Sequence, residues 1–406
     1  MAKVAIMGYG TVGSGVYDII KTNSDKLSRS ANGESVDIKY ILDIRDFDDH
    51  PEKELFTKEF NDILNDDEVS VVAEVMGGLH PAYEFTKSLL EAGKSVVTSN
   101  KELVATYGTE LLEIARGKNV NYFFEASVGG GIPIIRPLCQ CLAANYIEGI
   151  AGILNGTTNF ILTMMIEKGM SFDEALKIAQ EKGYAEKDPT ADVEGYDACR
   201  KVCILASLAF GKHVYPNQVE TEGITNITLE DVSYIENAGG VIKLLGQIKY
   251  INDNEIAAFV SPAVVYNGSQ LASVKDVFNA ILVRGDAVGD VCFYGPGAGK
   301  LPTASAVVAD IIDCAKHSER KKIFGWGAGN EDYVVDYKER IEMPFYVRAK
   351  ATPAEINAKF SDVKFLSRKG QPSDEVAFIT DIMTENKLNK KLDGINVINT
   401  IKVTNY

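Results

Sequence analysis

Short apolar runs recur through the first 125 residues: KVAIM (3–7), KYILDI (39–44), VSVVAEV (69–75), SVVT (95–98) and VNYFF (120–124). Runs of this length read as strands buried on both faces. Between them apolar residues fall at helical spacing, as at Val16, Ile19 and Ile20 and again over 81–92. Strands alternating with helices predict a parallel, doubly wound sheet with ligands at the strand C-termini. The second strand comes late, because a polar insertion covers 21–35.

The pattern changes from residue 147. IEGIAGILNGTTNFILTMM reads as a strand, a polar turn and a helix. Further helices are expected over 171–182 and 197–210, and strands within 247–265 and 280–283. This part is expected to be α+β, an open antiparallel sheet covered by helices. Residues 344–406 repeat strand, helix, strand, strand, helix, strand, the βαββαβ order of ferredoxin-like modules. The expected fold class is therefore α/β in three parts. They are a Rossmann domain over 1–130 completed by a helix around 300–318, a second domain over 131–300, and the module over 344–406 after a linker at 319–343.

Glycine spacing gives the first chemistry. The strand at 3–7 runs into GYGTVG, with Gly8, Gly10 and Gly13 ahead of a helix. Strand, GxGxxG and helix together form a dinucleotide fingerprint: a tight turn, a close approach to pyrophosphate, and close packing of helix on strand. After the second strand stand Asp43, Arg45 and Asp46. An acid there suits the ribose of NAD and an arginine suits the phosphate of NADP, so the pattern leaves NAD and NADP both open. Gly77, Asn100 and Lys101 follow later strands and belong to the same edge. EASVGGGIP (125–133) exposes carbonyls in a tight backbone that suit a hard cation such as Na⁺. Taken alone, its glycines read as an interdomain hinge. YGPGAGKLPT (294–303) is a second glycine-rich loop before a helix.

The densest chemistry is GYAEKDPTADVEGYDACRK (183–201), with Glu186, Asp188, Asp192, Glu194 and Asp197, and with Lys201 four residues after Asp197. Asp197 and Lys201 share a helix face at that spacing. Upstream, NGTTN (155–159) is placed to cap a helix or hold a carboxylate.

A net charge of −15 argues against nucleic acid and anionic membrane as partners. The six cysteines form no CxxC pair and read as reduced core thiols of a cytoplasmic protein. No signal peptide or membrane-length run is expected.

GYGTVG, EVMGG, TSNK, EASVGGGIPIIRPL, ILNGTTNFIL, the acidic segment ending DACRK, and YGPGAGKLPTASAVVADII together resemble homoserine dehydrogenase from residue 2 to about 313. The resemblance implies reversible reduction of L-aspartate 4-semialdehyde to L-homoserine with NAD(P)H, in a homodimer or homotetramer, with 131–300 as the catalytic and dimerisation domain. It implies that Lys201 is the proton donor and Lys101 a second catalytic lysine near nicotinamide. It places Glu186, Asp197, Gly156, Thr157 and Tyr184 at the substrate. It places Thr11, Val12, Gly77, Lys101 and Gly297 at the cofactor, beside Gly8, Gly10 and Gly13 of the fingerprint and Arg45 after the second strand. Glu125, Val128, Gly130 and Ile132 match a sodium site built largely from backbone carbonyls. Hydride arriving at an aldehyde leaves a developing alkoxide, which an ammonium can stabilise and protonate. The module over 344–406 resembles an ACT domain, a sensor of amino acids such as threonine. Its first turn reads Ala351-Thr352-Pro353-Ala354 where that pattern carries an acid followed by Pro-Gly. Threonine sensing and assembly alone both stay open. A phosphorylating semialdehyde dehydrogenase would need a cysteine paired with a histidine. None of His50, His80, His213 and His317 sits in such a motif.

Overall fold

The computed structural model describes residues 2–317 and 325–406. The elements open with β1 (Ala2–Met7), α1 (Thr11–Thr22), α2 (Ser24–Ser30), β2 (Val36–Leu42), β3 (Phe56–Thr57), α3 (Phe60–Leu64), β4 (Val69–Glu74), α4 (Ala82–Glu91), β5 (Ser95–Thr98), α5 (Lys101–Gly117) and β6 (Tyr122–Phe123). Then come β7 (Ile147–Ile153), α6 (Gly156–Lys168), α7 (Phe172–Glu181), α8 (Thr190–Val193), α9 (Tyr196–Phe210), β8 (Glu220–Thr221), α10 (Leu229–Asn237), β9 (Gly240–Asn252), β10 (Glu255–Tyr266), β11 (Phe278–Gly285), β12 (Gly289–Pro296) and α11 (Lys300–Lys316). The last are α12 (Tyr337–Arg340), β13 (Glu342–Met343), β14 (Phe345–Lys350), α13 (Pro353–Lys359), β15 (Val363–Leu366), β16 (Glu375–Thr380), β17 (Met383–Thr384), α14 (Glu385–Leu392) and β18 (Asn396–Val403).

The chain divides into two compact units, the first made of 1–144, 203–216 and 295–329, the second of 145–202, 217–294 and 330–406. The first contains a parallel six-stranded sheet in the order β3-β2-β1-β4-β5-β6, the order of a Rossmann fold. Its central strands are as apolar as the sequence predicts: Val4, Ala5, Ile6 and Met7 are fully buried, as are Val72 and Ala73. Strand order reverses between β1 and β4, so the switch point lies where the glycine-rich turn leaves β1. The polar insertion folds as α2, with Leu27 as its buried residue.

The second unit is built on a ten-stranded sheet in the order β12-β11-β7-β9-β10-β18-β14-β16-β15, with β8 attached to β10. The β11-β7-β9-β10 stretch is antiparallel, as expected. The C-terminal residues form β14, α13, β15, β16, α14 and β18 in the βαββαβ order. Within them the strands run β18-β14-β16-β15, antiparallel throughout. Their sheet is continuous with the preceding one, because β18 pairs in parallel with β10 at Ala263 and Val264. They also share a core: Ala257 and Phe259 of β10 pack with Phe345, Val347, Ile356, Phe360 and Phe378. The linker expected at 319–343 begins outside the described residues, and its later part forms α12 and β13. No described helix is long and apolar enough to cross a membrane. Cys141 and Cys292 are exposed, so the cysteines are not all core thiols.

Candidate active site

The nucleotide side is made from backbone. Gly8 has φ +98°, and a β-carbon on Gly13 would stand 1.8 Å from the Gly8 carbonyl oxygen. The turn therefore closes only with glycine at both positions. Gly10 is the N-cap of α1 and supplies no side chain to its amides. A β-carbon there would meet nothing within 4 Å, which leaves the start of the helix open to an anion. Thr11 and Val12 open this helix.

At the end of β2, Asp43 accepts the Tyr9 amide at 2.7 Å and is gripped by Arg45 through Nε and Nη2, each at 2.9 Å. The guanidinium pulls the Asp43 pKa down to about 2. Arg45, Lys53 and Lys58 line a cavity of about 260 Å³ with Asp43, Phe47 and Phe56.

The ends of β4 and β5 are tied by a residue that the sequence reading passed over. Glu74 is fully buried, and burial pushes its pKa up. It accepts from Met76 N at 3.0 Å and from the Thr98 hydroxyl at 2.6 Å. Thr98 in turn accepts from Asn100 N at 2.9 Å, and Asn100 donates its side-chain amide to Gly78 O at 2.6 Å. Asn100 also caps α5 by accepting from Leu103 N. Gly77 and Lys101, the first residue of α5, are thereby fixed from behind. An acid closing an apolar strand was the available signal.

The glycine run at 129–131 is not a loose hinge within this unit. A β-carbon on Gly130 would come 2.3 Å from Gly297 O, and Gly131 N donates to Pro296 O at 3.1 Å. Glycine serves here for contact between two backbones. The Glu125 carboxylate accepts from Ile134 N, Ile135 N and Arg136 N at 2.7, 2.7 and 2.9 Å. It is thus committed to the following turn. Arg136 also pairs with Asp310 and Asp313 of α11. Among the described residues no group of three or more His, Cys, Asp or Glu is placed to hold a metal.

The acidic segment of the second unit is built from side chains. Asn155 caps α6 by accepting from Thr158 N at 2.8 Å. Its amide nitrogen donates to Asp192 at 2.7 Å and to Asp197 at 2.9 Å. Lys201 donates to the same Asp197 oxygen, Oδ2, at 2.7 Å and to Leu154 O at 2.6 Å. The Lys201 and Asp197 side chains are 10% and 8% exposed, so the i,i+4 pair is an internal one rather than a surface bridge. Thr157 donates to Tyr184 O at 2.7 Å, and the Tyr184 ring meets Phe160 edge-on.

Gly156, Thr157, Tyr184, Asp197 and Lys201 are brought together by these contacts. Glu186 lies on the exposed turn after α7, its carbonyl held by Gln180 at 3.1 Å. Asp192 joins the cluster in a way the sequence did not signal. Burial raises its pKa, and repulsion from Asp197 adds to the rise. Asp188 instead holds Thr190 at the start of α8, and Glu194 accepts from Thr225 at 3.3 Å.

Comparison with known proteins covers both stretches of the chain. A family model for the homoserine dehydrogenase NAD binding domain matches 8–125, and the homoserine dehydrogenase model matches 133–312. The homoserine dehydrogenase of Bacillus subtilis is 44% identical over 319 residues, covering 78% of this chain and 73% of the relative. That of Synechocystis is 43% identical over 318 residues, covering 77% and 72%. The crystal structure of a homoserine dehydrogenase from Thiobacillus denitrificans superposes with a TM-score of 0.88 at 36% identity, covering 99% of this chain and 98% of that one. A hyperthermophilic archaeal homoserine dehydrogenase in complex with NADPH matches 77% of this chain and 97% of its own, with a TM-score of 0.66 at 29% identity. With an open dinucleotide turn in one unit and a buried lysine–carboxylate cluster in the other, the chain belongs to the homoserine dehydrogenase family, the NAD(P)-dependent oxidoreductases that interconvert L-aspartate 4-semialdehyde and L-homoserine.

Proposed function

We propose that Lys201 is the acid–base group of this reaction. The observation that carries the reading is the buried Lys201–Asp197 pair at 2.7 Å, joined through Asn155 to Asp192. Bound NAD(P)H supplies the hydride for reduction. Lys201 stabilises the developing alkoxide and gives it a proton, and in the reverse direction takes the proton of the homoserine hydroxyl. Asp197 fixes the ammonium of Lys201. Asp192 and Asp197 offer the negative charge that a substrate α-ammonium needs, with Glu186 reaching the same ligand from the exposed turn. The first turn of α6, at Gly156 and Thr157, receives the substrate carboxylate, with Tyr184 beside it. Lys101 polarises the carbonyl from the nucleotide side. Lys201→Ala is expected to lower kcat by about 10³-fold while leaving NAD(P)H affinity within about twofold. Turnover near the wild-type rate in that variant overturns the assignment.

The preferred cofactor in this reading is NADP. Asp43 is committed to Arg45 and Tyr9 N, and Arg45, Lys53 and Lys58 stand around one cavity, where a phosphate would compete with Asp43 for Arg45 and with Asp46 for Lys58. Gly8, Gly10, Thr11, Val12 and Gly13 hold the pyrophosphate, with Gly77 and Gly297 at the nicotinamide end. Arg45→Ala should raise KM for NADPH about tenfold and KM for NADH less than threefold. Equal changes overturn the preference. A sodium ion would be held by the backbone carbonyls of Glu125, Val128, Gly130 and Ile132, hard oxygen donors from a tight turn. The Glu125 carboxylate would take no part, being committed to the amides of 134–136.

The C-terminal module serves assembly of a homo-oligomer in this reading, rather than threonine inhibition. Its strands extend the main sheet, and Thr352 and Glu355 close a capping box over the turn. Activity unchanged by threonine is the expected result; inhibition by threonine overturns it.

A further inference from the structure

Lys243 of β9 is 2% exposed and has no part in the chemistry above. Its ammonium donates to Asn159 Oδ1 at 2.9 Å and to the carbonyl of Val274. Asn159, 1% exposed on α6, turns its amide nitrogen to the same loop. It reaches Val274 O at 3.3 Å, Asp276 O at 2.9 Å and Phe278 O at 3.2 Å. One turn further along α6, Thr163 donates to Asn159 O at 2.7 Å and accepts from Asp276 N at 3.1 Å. Lys275 closes the outer edge by pairing with Glu167 at 2.6 Å.

The loop so held is tight. Asp276 sits at φ +53°, a conformation that side chains disfavour. Val277 presses its carbonyl onto the first turn of α6: a β-carbon on Gly156 would stand 2.6 Å from Val277 O. Lys243 is also an uncomfortable residue for its place. Its two acceptors are neutral, and burial pushes its pKa down to about 8, with Lys275 adding repulsion and Glu167 and Asp276 offsetting part of it. An apolar side chain would fill the position without that desolvation. What the ammonium adds is two directed donors, one to the loop and one to the residue that carries the rest of the loop.

We propose that Lys243 is a positioning residue: through Asn159 it sets the 274–278 loop against the first turn of α6, and so fixes how closely a short amino-acid substrate is enclosed there. The proposal rests on the reading of Gly156 and Thr157 as substrate contacts.

The test is steady-state kinetics on the full chain, in the direction of homoserine oxidation. Lys243→Met keeps the length and removes the donors. It should raise KM for homoserine about tenfold, with kcat changed less than threefold and KM for NAD(P)⁺ unchanged. Asn159→Asp keeps a partner for Lys243 but sets a carboxylate against three carbonyls, so it should raise the same KM at least as much. If Lys243→Met does not fold, Thr163→Val removes only the bridging hydroxyl and should raise KM for homoserine about threefold. An unchanged KM for homoserine, an equal rise in both KM values, or wild-type behaviour of Asn159→Asp each overturns the proposal. Lys201→Ala separates the two levels. If it retains turnover, the substrate-site reading fails; if it abolishes turnover while Lys243→Met is silent, only the clamp fails.

Discussion

The two regions proposed to bind ligands are built by opposite means. The turn after β1 works by lacking side chains: Gly8 and Gly13 close it, and Gly10 leaves the start of α1 bare. The cluster around Asn155 works by crowding them, with one amide shared between two carboxylates and a lysine at 2.7 Å from one of them. A backbone site is rigid and tolerates few changes, because every change is steric. A charged cluster is tunable and graded, because each group shifts the others electrostatically. Substitutions should therefore fail abruptly in the first region and by degrees in the second.

The most abrupt effect is expected at Gly13. Gly13→Ala places a methyl 1.8 Å from a carbonyl oxygen, so the turn must open. Affinity for NAD(P)H should fall by about 100-fold or more, equivalent to about 2.7 kcal/mol, measured by quenching of nicotinamide fluorescence. Calorimetry with homoserine should still detect the substrate side. Retained nucleotide binding would break the comparison at its base. Next is Asp197→Ala, which leaves the buried Lys201 without its carboxylate. Loss of one partner of a buried pair destabilises by about 3–5 kcal/mol, so the melting temperature should drop along with an approximately 10³-fold loss in kcat/KM. A normal melting temperature would mean that the pair is solvated rather than internal.

The same contrast explains what could be read from the sequence. The Rossmann sheet was legible because its strands are buried on both faces and its turn has a fixed glycine spacing. The Asp197–Lys201 pair was legible because i,i+4 residues must share a helix face. Asp192 was not, since its partner Asn155 lies 37 residues away and no local periodicity links them. Glu74 was hidden for a similar reason: its partners stand on the neighbouring strand and on the turn beyond it. The GGG run is ambiguous in a different way, since Gly130 has φ +56° as well as a close neighbour. Glycine freedom and glycine closeness look the same in a sequence, and only the approach of Gly297 O to Gly130 tells them apart. The continuity of the C-terminal strands with β10 rests on pairing Ala263 with Lys402, a contact that no repeat or motif announces.

The smallest effect sharpens the comparison most, because it separates binding from stability at one residue. The pKa of Asp192 is raised above the ordinary 3.8 by burial first and by Asp197 second. The folded chain therefore binds this proton more tightly than the unfolded chain does. Stability is greatest below the unfolded pKa and is lost as pH rises through the raised folded value. Asp192→Asn keeps an oxygen for the Asn155 amide and removes the charge that burial and Asp197 oppose. The variant should melt a few degrees above wild type at pH 7, with the gap closing as the pH approaches 4. Its KM for homoserine should nevertheless rise about tenfold, because the substrate ammonium loses a carboxylate. Opposite signs for stability and substrate affinity are what a functional charge held against its own desolvation must give. A variant that melts lower at pH 7 with unchanged KM would make Asp192 a structural cap instead, and would leave Asp197 as the cluster's sole anionic anchor.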